Sequence, residues 1–167
     1  ESAAAAWPGM VKLFETEDTD TTPAALTTPL ELVTHLGFSP DGQWLAFVGI
    51  MKNQRGLVQF RTPSGELKHE VETSAQPLCA AFSPDNQTLA IGQSDGSIWL
   101  IPVSSPNKPR IFLKHHHDRI TALSWSSDGQ RLFSASMDKQ SKVTAVNKKA
   151  SNPLTLDLGS TALLVFD

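Results

Sequence analysis

The densest group of chemically active side chains in the sequence is the run His115-His116-His117-Asp118. Imidazole and carboxylate groups ligate transition metals, and imidazole takes up protons near neutral pH, so metal binding and pH sensing are the chemistries to weigh. Neighbouring residues of an extended segment point to opposite sides, so three consecutive histidines do not converge on one ion. His115 and His117 could share a side, but no second cluster of His or Cys accompanies them. The sequence therefore predicts no metal site and a structural role for His116.

The remaining candidate nucleophile is Cys79, the one cysteine of the chain. It lies in the apolar segment LCAAF, where a thiol is usually a small buried apolar group. The sequence contains no G-x-S-x-G elbow, no Walker loop and no dinucleotide-binding fingerprint. One cysteine also excludes an internal disulfide framework and fits a reducing, intracellular compartment. We expect no catalytic residue and no cofactor, and we interpret the protein as non-enzymatic.

Composition and charge describe an ordinary globular protein. The 167 residues are 40% hydrophobic and 19% charged, which suits a domain with a core and not a disordered chain. The net charge of −3 argues against a general phosphate-binding surface. No apolar run approaches the ~20 residues that cross a bilayer, and the start, ESAAAAWPGM, lacks the features of a secretory signal. We expect other proteins as partners and no membrane insertion.

An internal repeat in the sequence predicts the strands that position the histidine run and Cys79. FSPDGQWLA at 38–46 returns as FSPDNQTLA at 82–90 and as WSSDGQRLF at 125–133. The aromatic anchors of the three copies, Phe38, Phe82 and Trp125, are 44 and 43 residues apart. A period of about 40–45 residues with four strands per unit is typical of β-propeller blades.

Each copy is built around a turn whose residues suit its backbone. Pro40 presets φ at the first corner, Asp41 can bond back to the backbone, and Gly42 takes the position that needs a positive φ. Asn86 replaces that glycine in the second copy, and asparagine tolerates the left-handed region better than most residues. We therefore predict positive φ at Gly42 and Asn86. The structural turn residues are Asp41, Gly42, Asp85, Asn86, Asp128 and Gly129, with a further hairpin turn at Asp95 and Gly96.

Short apolar segments around each turn predict strands that are buried on both faces. The three aromatic anchors should be largely buried, with Leu45, Leu89 and Leu132 beside them on the following strands. Residues 1–32 are interpreted as the last two strands of a preceding blade with an acidic, Thr- and Pro-rich loop. The predicted blades are 33–72, 77–114 and 119–157, and 161–167 is predicted to be the first strand of a further blade.

Three features of the sequence resemble the WD40-repeat family: the turn copies, SDGSIWLI at 94–101 and HHHDRITALSWSSDG at 115–129. The resemblance implies an all-β, WD40-type β-propeller with His116 at the histidine that precedes the first strand of a blade. The family's Trp-Asp dipeptide is replaced throughout, so its Asp–His–Ser/Thr–Trp hydrogen-bond tetrad is expected to be incomplete. The resemblance leaves fragments of that tetrad at Asp95, His116 and Asp138. The replacing dipeptides are Phe60-Arg61, Ile101-Pro102 and Val146-Asn147.

Three full blades with partial blades at both ends are too few to form a closed ring readily. Closed propellers need about 4–8 blades to leave no exposed sheet edge. We therefore expect a segment of a larger propeller, with a four-bladed closure that pairs the terminal strands as the alternative.

Three loops are possible partner contacts. The acidic loop ETEDTDTTPAALTTP at 15–29 is either a tolerated surface insertion or a binding or phosphorylated segment. The other two, GIMKNQRG at 49–56 and SPNKPR at 105–110, carry scattered cations that do not make a nucleic-acid groove, so direct nucleic-acid contact is only a minor alternative. The candidate contact residues are Glu15, Asp18, Asp20, Lys52, Arg55, Lys108 and Arg110.

A propeller without catalytic motifs predicts a scaffold for protein–protein interactions, which is an argument from fold alone. The stretches HHHDRITALSWSSDGQRLFS and LDLGSTALLVF resemble WD40 subunits of the nucleolar small-subunit processome, which implies ribosome biogenesis and a nuclear or nucleolar location. The stretch from Ile120 to Ser134 is also similar to propellers of membrane-trafficking tethers. FSPDGQWLAFV resembles the non-catalytic propellers of prolyl-oligopeptidase-like enzymes. These three destinations remain open at the level of the sequence.

Overall fold

The computed structural model describes residues 2–7, 9–15, 24–106, 111–114, 116–146 and 154–156. In these ranges the chain forms fifteen β-strands and no helix, which confirms the predicted all-β class. The strands are β1 (Ser2–Trp7), β2 (Met10–Glu15), β3 (Ala24–Thr27), β4 (Leu30–Phe38), β5 (Leu45–Met51), β6 (Gly56–Arg61), β7 (Leu67–Thr73), β8 (Pro77–Phe82), β9 (Thr88–Gln93), β10 (Ser97–Pro102), β11 (Ile111–Lys114), β12 (Ile120–Trp125), β13 (Arg131–Ser136), β14 (Ser141–Ala145) and β15 (Leu154–Leu156).

The strands form four antiparallel sheets, each a meander in chain order. The first sheet has three strands, β1 to β3, and the next three sheets have four strands each. The innermost strands β4, β8 and β12 lie against their neighbours in adjoining sheets, so the sheets stack face to face in the order of the chain. This radial stack of four-stranded sheets is the arrangement of propeller blades, as the repeat predicts.

The beginning of the chain differs from the expectation of two strands. β1 pairs with β2 in unbroken register from Ser2 opposite Glu15 to Trp7 opposite Met10, so the first sheet has three strands. The segment SAAAAW has no alternating pattern and little strand preference of its own, so pairing with β2 defines it as a strand. The inner strand β4 also begins at Leu30, inside the range interpreted as the preceding blade.

A repeated hydrophobic interface joins each sheet to the next. Val11 of the first sheet packs against Leu45 and Phe47 of the second. Between the second and third sheets the buried side chains include Phe60 and Leu89. Burial of large apolar side chains on both sides of every interface, at roughly 25 cal/mol per Å² of area removed from water, is the main stabilisation of such a stack. The interface of the third and fourth sheets is formed by Ala90, Ile98, Leu100, Ile120 and Leu132.

The expectation that the inner strands are buried on both faces is wrong. Leu45, Leu89 and Leu132 are fully buried on the second strands. Their pairing partners Phe38, Phe82 and Trp125 pack against the same hydrophobic clusters and are largely buried, as predicted, but less completely than the leucines. Each inner strand is the edge of its sheet and has a hydrogen-bonded neighbour on one side only. Its side chains therefore pack less completely than those of the second strand, which is flanked on both sides. The indole of Trp125 still links two blades, because Nε1 donates to the Ala81 carbonyl at 3.0 Å.

Candidate functional site

The three repeated turns share one hydrogen-bond arrangement. In the first, Ser39 Oγ donates to Asp41 Oδ1 at 2.5 Å, and the backbone N–H of Gln43 donates to the same oxygen at 3.0 Å. The backbone N–H of Trp44 donates in turn to Ser39 Oγ at 2.9 Å. These donors stabilise the ionised carboxylate, so the Ser39 hydroxyl first and the Gln43 amide second lower the pKa of Asp41. The same bonds recur around Asp85 and Asp128.

The backbone of these turns confirms the predicted left-handed positions. φ is +68° at Gly42, +60° at Asn86 and +67° at Gly129. The Asn86 side chain has a further role that a glycine cannot supply, because its Oδ1 accepts a hydrogen bond from the Asp41 amide of the preceding blade at 3.0 Å. Asn86 therefore connects two neighbouring blades at one end of the stack as well as closing its own hairpin.

His116 lies at the centre of a buried hydrogen-bond network in the fourth sheet. Its side chain is 1% exposed; Nδ1 is 3.0 Å from Asp138 Oδ2 and Nε2 is 2.9 Å from Ser134 Oγ. Burial lowers the pKa of His116 below its ordinary value, and the nearby Asp138 carboxylate opposes this only in part. A neutral imidazole that donates from Nδ1 to the carboxylate and accepts from the serine satisfies all three groups. Asp138 also accepts the His117 amide at 3.0 Å.

The types Asp, His and Ser are those of a hydrolytic triad, but their burial excludes that use here. Ser134 is 2% exposed and its hydroxyl is engaged by the histidine, so no substrate atom reaches the oxygen. The network instead joins three segments: the chain ahead of β12, strand β13 and the turn between β13 and β14. Its arrangement fastens a blade internally.

Asp95 does not join His116 and Asp138, because it belongs to the third sheet. Its Oδ1 accepts from the backbone N–H and the hydroxyl of Ser97, at 3.0 and 2.5 Å. In that sheet the fully buried Gln93 takes over the linking role: Nε2 donates to Ser97 Oγ at 3.1 Å, and Oε1 accepts from the Ala75 amide at 3.0 Å. Gly96 has φ +82°, and a Cβ at this position would collide with the His116 carbonyl. The close approach of two blades therefore requires glycine there.

A buried arginine that sequence reasoning missed connects the first and second sheets. Arg61 is 8% exposed; Nη2 donates to the Thr27 carbonyl and Nη1 to the Gly65 carbonyl, both at 2.9 Å. The guanidinium carbon lies 5.0 Å from the centre of the Phe47 ring, a cation–π contact. Burial lowers the pKa of Arg61, and the Glu70 carboxylate opposes this.

Gln59 completes the polar contacts of this arginine. Its Oε1 accepts from Arg61 Nη2 at 3.2 Å and from Thr28 Oγ1 at 3.1 Å, and its Nε2 donates to Glu70 at 2.6 Å. The signal in the sequence was the alternation of Gln59 and Arg61 in the otherwise apolar strand GLVQFR. Two polar residues on one face of a buried strand indicate a mutual network, since each alone would be costly to bury.

The residues predicted as partner contacts are only partly within the described ranges. Lys52 and Arg55 are exposed on the loop between β5 and β6, and Arg55 Nη2 is 2.5 Å from Glu72 Oε2. Such an exposed ion pair contributes little to stability. The backbone of Glu15 ends β2, while Asp18, Asp20, Lys108 and Arg110 lie outside the described residues, as do His115 and the predicted strand at 161–167. Their contact roles stay predictions.

The described residues offer little for catalysis or metal binding. Burial raises the pKa of the Cys79 thiol to about 12, so it is protonated at neutral pH, and Sγ lies 3.9 Å from the Ile120 carbonyl. Among the described ranges, no group of three or more His, Cys, Asp or Glu residues is arranged to hold a metal ion. No helix in this part of the structure could span a bilayer.

A groove of about 630 Å³ opens at the end of the stack that carries the aspartate turns. Its walls are the turn 85–88, the end of β10 with Ser104, and the side chains of Trp44 and Val146. Trp44 also packs edge-on against Phe60, with ring centres 6.4 Å apart. The groove is therefore shared by three consecutive blades.

Comparisons with known proteins agree with this geometry. The family model WD40, described as WD domain, G-beta repeat, matches residues 62–101 and 107–143. WD repeat-containing protein 1 of Gallus gallus is 30% identical over 118 residues, which are 69% of this chain and 19% of that protein. The chain belongs to the WD40-repeat family. His116, Ser134 and Asp138 are thus three of the four residue types of the WD40 tetrad, assembled in one blade.

Two further similarities show how much of the length of a related WD40 protein this chain spans. Meiotic fizzy-related protein 2 of Schizosaccharomyces pombe is 27% identical over 111 residues, 64% of this chain and 21% of that protein. A chain in the crystal structure of the mitotic checkpoint complex has the same fold, with a TM-score of 0.79 at 22% identity, over 94% of this chain and 48% of that one. The chain spans about a fifth of the length of these curated relatives and about half of the solved chain.

Proposed function

We propose that this WD40 segment is a non-catalytic platform for protein–protein interactions within a multiprotein assembly. The observation that carries the proposal is the use made of its reactive side chains. In the described part of the chain His116 is hydrogen-bonded to both Ser134 and Asp138, and Cys79 is held as a thiol by burial. Most of the exposed polar residues of the described part lie on the turns and loops between strands, and others lie on strands such as the outer strand β7; loops held by a rigid scaffold serve recognition.

The nature of the assembly is a separate part of the proposal. The sequence resemblance to WD40 subunits of the small-subunit processome supports ribosome biogenesis and a nucleolar location. A cell-division assembly is the second candidate, favoured by the similarity to a meiotic fizzy-related protein. A trafficking tether and a peptidase-associated propeller are the remaining alternatives, and each predicts a different neighbouring domain in the full-length gene product.

Affinity purification of the tagged full-length protein, followed by crosslinking and mass spectrometry, tests the proposal. Ribosome biogenesis predicts co-purification of small-subunit assembly factors. A cell-division role predicts partner proteins that co-purify from dividing cells only. The double variant Lys52→Glu/Arg55→Glu alters one candidate contact loop, and Lys68→Glu on the outer strand β7 is the matched control. Recovery of the protein without any stable partner would contradict the scaffold function.

A further inference from the structure

Proline follows serine or threonine at six places in the sequence. These dipeptides are Thr22-Pro23, Thr28-Pro29, Ser39-Pro40, Thr62-Pro63, Ser83-Pro84 and Ser105-Pro106. A hydroxyl followed by proline is the substrate pattern of proline-directed protein kinases, and all but the first lie in the described part of the chain. The structure distinguishes among those five by the burial and the hydrogen bonds of each hydroxyl.

Four of the five hydroxyls are occupied by the fold. Ser39 and Ser83 are 3% and 2% exposed, and each donates to the aspartate of its own turn at 2.5 Å. Thr28 is 8% exposed and donates to Gln59 at 3.1 Å. Thr62 is half-buried and shares a hydrogen bond of 2.8 Å with Ser64. A kinase would have to break blade contacts to reach the first three of these oxygens.

Ser105 differs in every one of these respects. It is exposed in the connection that follows β10, and no described residue hydrogen-bonds its hydroxyl. The turn around it is closed by the Ser105 amide, which donates to the Pro102 carbonyl at 3.2 Å. Pro106 is buried, so a kinase that grips the proline needs this turn to open. Opening a surface turn costs far less than separating two blades.

We propose that Ser105 is a phosphorylation site for a proline-directed protein kinase. The Ser105 oxygen attacks the γ-phosphorus of ATP, an Oγ–P bond forms, and the bond to the bridging oxygen breaks as ADP leaves. The hydroxyl proton passes to the catalytic aspartate of the kinase and then to solvent. Lys108, three residues after the serine in the sequence, adds the basic position that many such kinases prefer.

Phosphorylation would neutralise the positive charge of this connection. Residues 104–110 contain Lys108 and Arg110 and no acidic residue, so the segment carries two positive charges. A phosphoserine contributes about −1.5 to −2 charges at neutral pH, which cancels them. Ser104 lines the groove beside the Asp85 turn, so the new charge would stand at the rim of that groove. The site does not depend on which assembly the protein joins.

The test is phosphorylation of the protein by a purified proline-directed kinase with ATP, read by peptide mass spectrometry over time. We expect Ser105 to be modified more than about tenfold faster than Ser39 or Ser83, because those hydroxyls are exposed only when blades open. Among the five described sites, Ser105→Ala should abolish the main product, whereas Ser104→Ala, its exposed neighbour, should leave the rate unchanged. Pro106→Ala should reduce the rate strongly.

Synthetic peptides that span each Ser-Pro site supply the control for kinase preference. If peptides of the Ser39, Ser83 and Ser105 segments react at similar rates while the protein reacts only at Ser105, the fold accounts for the selectivity. Equal modification of Ser39 and Ser83 in the protein would overturn the inference, as would an unmodified Ser105 in a protein whose Ser105 peptide reacts. Circular dichroism of each variant shows whether the β-sheet stack is retained.

Discussion

The hydrogen-bond network of His116 makes a quantitative prediction. His116→Ala removes the imidazole that joins Asp138 and Ser134 inside the fourth sheet, at 3.0 and 2.9 Å. A hydrogen bond to an ionised carboxylate is worth about 1.5–3 kcal/mol and the neutral bond to the serine about 1 kcal/mol. Because both partners are left buried without their acceptor or donor, we expect a loss of about 3–4 kcal/mol in the free energy of unfolding.

Urea unfolding monitored by tryptophan fluorescence measures this loss. Exposed His117, whose backbone but not side chain contacts Asp138, provides the control, and His117→Ala should change stability by less than about 0.5 kcal/mol. Ser134→Ala alone should cost about 1 kcal/mol. The double variant His116→Ala/Ser134→Ala should cost less than the sum of the two single changes by at least ~0.5 kcal/mol, since both remove the same bond.

Two results would refute this reasoning. If His116→Ala is no more destabilising than His117→Ala, the network does not fasten the blade. If His116→Ala and Ser134→Ala are strictly additive, the two side chains do not interact in the folded protein, whatever the size of each single effect.

The other predictions concern the turns, the buried arginine and pH. Gly42→Val should destabilise the protein by about 1–3 kcal/mol, because φ is +68° there and a β-branched residue is strained in the left-handed region; Asn86→Gly should cost less, and thermal unfolding of the two variants compares them. Gly129→Asn should raise the unfolding midpoint, since φ is +67° and an asparagine there can bond the Asp85 amide as Asn86 bonds that of Asp41; an unchanged midpoint would contradict the turn-to-turn role. Arg61→Met should cost about 2–4 kcal/mol in chemical unfolding, because the hydrogen bonds to Thr27 and Gly65 are lost, and Arg61→Lys should recover only part of it because lysine lacks the planar fork. Stability should be full above about pH 6.5 and fall as pH drops below that value, because burial lowers the pKa of His35 and His116 in the folded state while unfolded histidines still take up protons near 6.5. Each histidine contributes up to ~1.4 kcal/mol per pH unit, so His116→Gln should flatten the unfolding free energy between about pH 5 and 6.5, and an unaltered pH profile would show that His116 is not buried in the neutral form.

Much of the fold was predictable because its local and its repeated features agree. The residue types in each turn predict its backbone conformation, since proline, aspartate and glycine or asparagine each suit one position of the turn. The spacing of Phe38, Phe82 and Trp125 then indicated the architecture. β1 was not predictable, because a run of alanines carries no strand pattern and becomes a strand only through its pairing with β2.

The candidate site was predictable only where a side chain bonds within its own turn. The capping of the turns by Asp41 and Asp128 follows from two-residue spacing, which the chain carries locally. The partners of His116 are 18 and 22 residues away, and those of Arg61 include a carbonyl 34 residues earlier. Nothing in the local sequence around either residue identifies such distant partners, so the sequence indicates fragments of the tetrad at Asp95, His116 and Asp138 but not which of them bond to one another.

The sequence by itself therefore determined the repeat, the turns and the all-β class, because these depend on backbone preferences and on an apolar pattern that recurs along the chain. Tertiary structure alone decided which polar residues are buried together, how far the inner strands are covered and which Ser-Pro hydroxyls reach solvent. The physical reason is that burial and long-range hydrogen bonding arise from the stacking of sheets, where the surroundings of each side chain are set by residues of the neighbouring blade. Ser83 and Ser105 are both followed by proline in the sequence, yet the stacking of the sheets buries Ser83 and leaves Ser105 exposed.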